Sequence, residues 1–235
     1  MRCPTAPALP GWPKAAPLAS EAASDKLTHQ YVWLSLMHFQ TDLMFGFTCE
    51  KSEESILSLV EASRRGVLLE PQDVPQRLWI KKERASLDRR KLPPLFSAGG
   101  FLTVSESFAE ILKRHDLGRT KLHPIELLRS DERTAFEGRY FFLNIAEVHR
   151  YFALEQSSGI SPVTNPNSSY KATTGLLTED DCVKVVPAAL AGPDLWLDDT
   201  LRTGFFCSDQ LARALRAARL TRRLALKRCV VLALN

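Results

Sequence analysis

The side chains of this sequence that could do chemistry are two serines, a cysteine, a few histidines, three acidic pairs and a run of arginines, and their spacing decides what is open to them. Ser105 and Ser208 each precede an acid and an apolar helical stripe. A serine at a strand-to-helix turn has the outline of a nucleophile elbow, but the glycines of G-x-S-x-G are absent. A helix cap, worth about 1 kcal/mol, accounts for both serines. Cys207 stands just before a helix start, where a dipole lowers a thiol pKa; aligned on the two serines it takes the place of Val104 and reads as a core thiol. No two of His29, His38, His115, His123 and His149 sit at i, i+3 or i, i+4, and none lies beside a cysteine at ligand spacing. His115, ending a helix, and His123, on the next strand, are the two that could approach each other. Gly99–Gly100 lacks the Lys-Ser/Thr of a phosphate loop. No catalytic group, metal or cofactor is expected.

The charged groups point to a partner instead. Glu53–Glu54 suits a helix N-terminus, which leaves Asp180, Asp181, Asp198 and Asp199 as loop charges available to a basic partner. From Arg202 to Arg228 there are eight basic residues opposed only by Asp209, an excess of seven, so the rest of the +4 chain sums to −3. Arg213, Arg216, Arg219 and Arg223 follow i, i+3 and i+4 steps and line one face of a helix if it runs that far. Such a face is either the solvated back of an amphipathic helix or a patch for an acidic protein, RNA or a lipid surface.

Ser105, Ser208 and Cys207 sit in a phrase that occurs twice. GFLTVSESFAEIL, from residue 100, and GFFCSDQLARAL, from residue 204, share Gly-Phe, an apolar run, Ser, an acid and a stripe in which Ala109 meets Ala212 and Leu112 meets Leu215. The spacing predicts one strand–turn–helix unit used twice in an α+β domain of mixed or antiparallel sheets with a few packed helices. In the second helix Leu211, Ala214, Leu215 and Ala218 form the predicted stripe. Elsewhere, residues 29–49 predict two strands with a break near Gln40–Asp42. Ser52 caps a helix stopped by Gly66, with Ile56, Leu59 and Val60 inward. Strands are expected at 77–84, at 121–128 (an edge or a bulge because of Pro124), at 139–145, at 183–186 and, buried, at 229–234. Residues 156–174 read as a long polar loop.

Length and composition bound the class. A chain of 235 residues buries roughly 70% of its unfolded surface without staples. Five scattered cysteines without C-x-x-C argue for free thiols in a reducing cytoplasm rather than a disulfide framework or zinc knuckle. No apolar run approaches the ~20 residues of a membrane span. Residues 1–25, rich in Pro and Ala, read as an arm rather than a signal peptide, with a lone Trp12 that either pins it to the body or is exposed. Residues 26–235 form a single domain, with parts at 26–91 and 92–235.

FLTVSESFAEILKRHDLGRTKLHPIEL, YFFLNI and TGFFCSDQLARALRAARLTRRL together resemble bacterial immunity proteins of polymorphic toxin systems, the eleventh immunity family, formerly a domain of unknown function. The family's helix, Pro-bearing strand, "Y-h-h-L-N-h" strand and closing helix unit map onto Ser105–Leu112, Leu122–Leu127, Tyr140–Ile145 and Phe206–Leu215, within about residues 92–228. Where the family often has Gly-Leu-Thr-Gly, this chain has Arg219-Leu220-Thr221-Arg222, which removes the glycines of a helix stop.

The resemblance implies a non-enzymatic protein that binds and blocks a cognate toxin, an effector of a contact-dependent or secretion system such as type VI, through an interface of roughly 1,600 Å². Many such toxins are nucleases with basic active sites, which would favour an acidic inhibitor surface. Loop 156–174, Asp180, Asp181, Asp198, Asp199, Arg213, Arg216, Arg219 and Arg223 are the candidate contacts. The alternative is a nucleic-acid-binding module on the C-terminal arginines. It is disfavoured because the aromatic residues lie elsewhere in the sequence and stacking platforms need both together. A small hydrolase or transferase lacks the necessary spacings.

Overall fold

In the computed structural model, which describes residues 31–165, 168–175, 178–202 and 204–233, the aromatic segment after residue 30 divides between two sheets. β1 (Val32–Ser35) belongs to one, while β2 (Met44–Phe45) and β3 (Phe47–Thr48) lie at opposite edges of the other. The break falls where the sequence placed it, as two 3-10 turns at Met37–Phe39 and Thr41–Leu43. The predicted arm 1–25 lies outside the described residues.

α1 (Glu53–Arg64) begins at Ser52, whose hydroxyl accepts from the Ser55 N–H at 3.3 Å, and ends at Gly66 with φ +75°. β4 (Arg77–Ile80) stops sooner than expected because no buried alternate follows Leu78 and Ile80; Lys82–Arg89 coils into 3-10 turns. β5 (Leu95–Ala98) and β6 (Phe101–Ser105) form a hairpin, and α2 (Glu106–Leu112) follows. β7 (Lys121–Leu128) and β8 (Tyr140–Asn144) complete a seven-stranded mixed sheet ordered β2-β5-β6-β8-β7-β4-β3. Contrary to the edge reading, β7 is interior. Its pairing with β4 covers only Glu126–Leu128, so Pro124 faces a strand on the β8 side alone.

Segment 156–174 is not a bare loop. β9 (Ile160–Pro162) and β10 (Ala172–Thr174) pair as a two-stranded ribbon, too short and polar to show alternation. β11 (Lys184–Val185), β12 (Leu195–Trp196), β13 (Phe205–Ser208), α3 (Asp209–Ala217) and β14 (Leu226–Val231) follow, giving the second sheet β11-β14-β1-β13-β12. β14 starts earlier than predicted, and only Cys229 on it is buried. The fold is α+β.

The repeated phrase is a repeated structure. Val104 and Cys207, Ala109 and Ala212, and Leu112 and Leu215 are all at most 2% exposed, and α2 packs against α3. The duplication reaches further back than the sequence suggested. β5 pairs with β6 as β12 pairs with β13: Leu95 faces Val104, and Leu195 faces Cys207. The cap N–H groups match too, Ser105 donating to the Pro94 carbonyl and Ser208 to the Asp194 carbonyl. Gly100 and Gly204 both sit at φ +97°. A β-carbon on Gly204 would stand 2.6 Å from the Ser35 oxygen of β1, so the close approach itself excludes a side chain.

The copies differ in two respects. Ser208 caps, accepting from the Leu211 N–H at 3.1 Å, whereas Ser105 does not and pairs with the Ser107 hydroxyl at 3.0 Å. The first hairpin turns on Gly99–Gly100, both at positive φ as a two-residue hairpin requires. The second opens this turn into the stretch from Leu197 to Gly204. In the second helix the buried stripe is Leu211, Ala212 and Leu215; Ala218 is exposed and lies beyond the helix.

Candidate partner-binding surface

The predicted arginine stripe is broken by the end of α3. The helix stops at Ala217, where the Leu220 N–H reaches back to the Leu215 carbonyl and the Arg219 N–H to the Arg216 carbonyl, both at 2.9 Å. These are the two bonds of a Schellman stop, with Arg219 in the glycine position at φ +59°. Only Arg213 and Arg216 stand on the helix. Arg213 pairs with Asp209 at 2.6 Å, and the buried Asp209 carboxylate also accepts from the Trp33 indole N–H at 2.9 Å. Arg216 lies over the Trp33 ring at 3.8 Å. Arg223, beyond the helix, pairs with Asp42. Arg216, Arg219 and Arg222 make no ion pair among the described residues.

The aspartates are held from within. Asp181, at φ +64°, accepts from the Arg228 guanidinium at 2.8 and 2.5 Å, which holds its carboxyl below the usual range. Asp180 accepts from the Arg228 backbone N–H at 2.8 Å. Asp199 takes Arg150 at 2.8 Å. Asp198 is 4% exposed and accepts from the backbone N–H groups of Phe152 and Thr200, both at 2.9 Å, and from the Thr200 hydroxyl. The eight sequence candidates therefore do not converge: the acids brace loops, and the arginines spread from α3 into the segment after it.

The aromatic side chains are not remote from the arginines as sequence distance implied. β1 runs between β13 and β14, which puts Trp33 under Arg216 and Tyr31 at 5.4 Å from Arg228. His115 and His123 do not pair. His115 meets Asp194 at 3.2 Å, and His123 stacks on Phe142. No group of three or more His, Cys, Asp or Glu able to hold a metal occurs among the described residues. Cys207 is 1% exposed, and burial pushes its thiol up to about 12, as expected of a core thiol. No described helix is long and apolar enough to cross a membrane.

One feature had no signal in the sequence. A cavity of about 600 Å³ opens where the glycine turns of the two copies meet, with Gly100 and Leu102 from the first and Gly204 and Phe205 from the second. Its other walls come from the end of α1, the 3-10 turns after β1, and the ribbon segment with Tyr170. Residues so far apart in the chain meet only through sheet pairing.

Residues 50–223 match the model of a family described as Immunity protein family (Imm11), a match that begins well before the segments that carry the resemblance. No curated protein matches the chain.

Proposed function

The chain belongs to the Imm11 immunity protein family, and we propose on that ground that it is an immunity protein that binds a cognate bacterial toxin and blocks its active site or the approach of its substrate. The family match carries this reading. The physical arrangement supports it: Arg213 and Arg216 stand on α3, and Arg219 and Arg223 lie in the turn segment that follows it. The face offered is that of the second copy, with Arg216 and Arg219 at and beyond the end of α3, joined by Arg213 and Arg223. Arginine beside an indole is a common interface anchor. Asp180, Asp181 and Asp199 contribute mainly by fixing the loops around that face, and the partner is a protein toxin met in the cytoplasm.

Co-expression with the toxin encoded by the adjacent gene tests this. Growth should be rescued, and the two proteins should co-purify at near-equal stoichiometry. No rescue and no stable complex with a neighbouring toxin would overturn it.

The nearness of Trp33 and Tyr31 to Arg216 and Arg228 gives the nucleic-acid alternative a specific footing. It predicts affinity for single strands that falls steeply with salt. Arg216 already covers the Trp33 face that a base would need, which favours the toxin reading.

A further inference from the structure

The cavity between the two copies has a wall and a mouth of different character. Leu43, Val60, Leu143, Ile145 and Phe205 give it apolar walls, while Arg64, Arg65, Arg202, Glu61 and the Tyr170 hydroxyl belong to its polar lining. Arg65 is neutralised by Glu61 at 3.0 Å. Arg64 and Arg202 make no ion pair among the described residues. The Tyr170 hydroxyl donates to the Arg64 carbonyl at 3.3 Å, and Arg64, Arg65, Arg202 and Glu61 line the same cavity as Tyr170. The local excess is two positive charges. Arg64 at the end of α1 has an ordinary explanation, since cations suit helix C-termini. Arg202 does not: it arrives on the opened turn that distinguishes the second copy from the first.

We propose that this cavity binds a small organic anion with an apolar body, a carboxylate or a phosphate monoester, whose head group is taken by Arg64 and Arg202. The volume falls within the range of small-molecule sites, which combine apolar walls with a few placed polar groups. A concave site with low-dielectric walls concentrates the potential of the two unpaired arginines. Guanidinium groups match both carboxylate and phosphate oxygens in bidentate geometry. The bound anion joins the first copy, the second copy and α1, so it stabilises the folded chain by mass action. This inference is independent of the toxin reading and needs no toxin to test.

The experiment is a thermal-shift and calorimetric comparison on the purified full chain. The probes are octanoate, adenosine monophosphate, inorganic phosphate, and the neutral analogues octanol and adenosine, each at about 1 mM. Octanoate or the nucleotide should raise Tm by about 3 °C or more while its neutral analogue does not. Which of the two binds separates a carboxylate from a phosphate ligand. Arg64→Gln and Arg202→Gln should each weaken binding at least tenfold, and the same change at Arg114, an exposed arginine just after α2 and outside the cavity lining, should leave it unchanged. The proposal is overturned if neither amphipathic anion binds, if the neutral analogues bind as well, or if both glutamine variants bind like the parent. A shift from inorganic phosphate equal to that from the nucleotide also overturns it, because the apolar walls would then add nothing.

Discussion

Replacing Arg219 by glycine should make this protein more stable while making it a poorer binder of its partner. Arg219 occupies the left-handed position of the Schellman stop at φ +59°, where an L-residue with a β-carbon costs about 1–2 kcal/mol. Glycine removes that cost, but its freer unfolded chain takes back about 0.5–1 kcal/mol. The net gain is about 0.5–1 kcal/mol, or a rise in Tm of about 1–4 °C for a chain of this size. Arg219→Gly also removes a positive charge from a crowded region, which could stabilise by itself. Arg219→Ala makes the same charge change and keeps the β-carbon, so the difference between the two variants isolates the backbone contribution. Calorimetric or denaturant unfolding of the three proteins supplies that difference. Equal stability of the glycine and alanine variants would refute the Schellman assignment. In the toxin complex both variants should lose affinity alike, about tenfold if Arg219 is an anchor, because both lack the guanidinium. Unchanged affinity in both would remove Arg219 from the interface while leaving the stability argument standing.

Gly204→Ala should cost about 2 kcal/mol or more in denaturant unfolding, because its β-carbon meets the fixed Ser35 carbonyl at 2.6 Å. Gly100→Ala should cost less despite the same φ, since its obstacle at 2.9 Å is the Val60 side chain, which can yield. Asp209→Ala leaves the Trp33 indole N–H and Arg213 without their acceptor and should lower stability by about 2–3 kcal/mol, a Tm loss of about 4–12 °C. Burial, with Arg64 nearby, lowers the His38 pKa from 6.5 to about 4. The folded state then binds fewer protons than the unfolded one, so stability is unaffected above pH 6.5 and is lost as pH falls from 6.5 toward 4. His38→Gln should flatten a Tm–pH profile over that window, and an unchanged slope would show that His38 is not the group responsible.

Local signals are legible in the sequence and long-range ones are not. Ser52, the two acids after it and Gly66 mark α1 because capping and dipole interactions act within a turn of the helix end. The pairing of β1 with β13 and β14, some two hundred residues away, leaves no trace in a local pattern. The duplication was visible from Gly100 onward but not in the strands before it. Leu95 and Leu195 are equivalent, yet the opened turn of the second copy throws the spacing out of register. The arginine stripe failed for a related reason: the helix periodicity persists in the sequence past Ala217, while Arg219 accepts a left-handed conformation that its residue type does not announce. Ser105 shows the limit of analogy within one chain, since its hydroxyl faces Ser107 where Ser208 caps. The cavity residues come from segments whose only link is tertiary.

The opened turn changes what the acids of this protein mean. Between Trp196 and Phe205 the second copy has room for Asp198, Asp199 and Arg202, where the first has two glycines. Such a loop would ordinarily be mobile, but Asp198 is buried in it and accepts from Thr200 and, across the loop, from Phe152. Asp199 adds the pair with Arg150. Internal acids thus brace residues 197–202, and a braced segment loses less entropy when Arg202 meets a ligand. The same accounting runs through the second copy: Asp209 answers Arg213, Asp42 answers Arg223, and Asp181 answers Arg228. Among the described residues, Arg64, Arg202, Arg216, Arg219 and Arg222 are left without an ion pair, while Asp180 and Asp198 accept from backbone N–H groups. A toxin that docks there needs acidic groups on its own surface. If the toxin docks on this face, inhibition by carboxylates thrust into a basic nuclease site is not the expected mode. Blockade from here would act by covering the approach to the active site, and charge reversal at Arg216 and Arg219 should slow association far more than neutral truncation does, with the difference shrinking as salt rises.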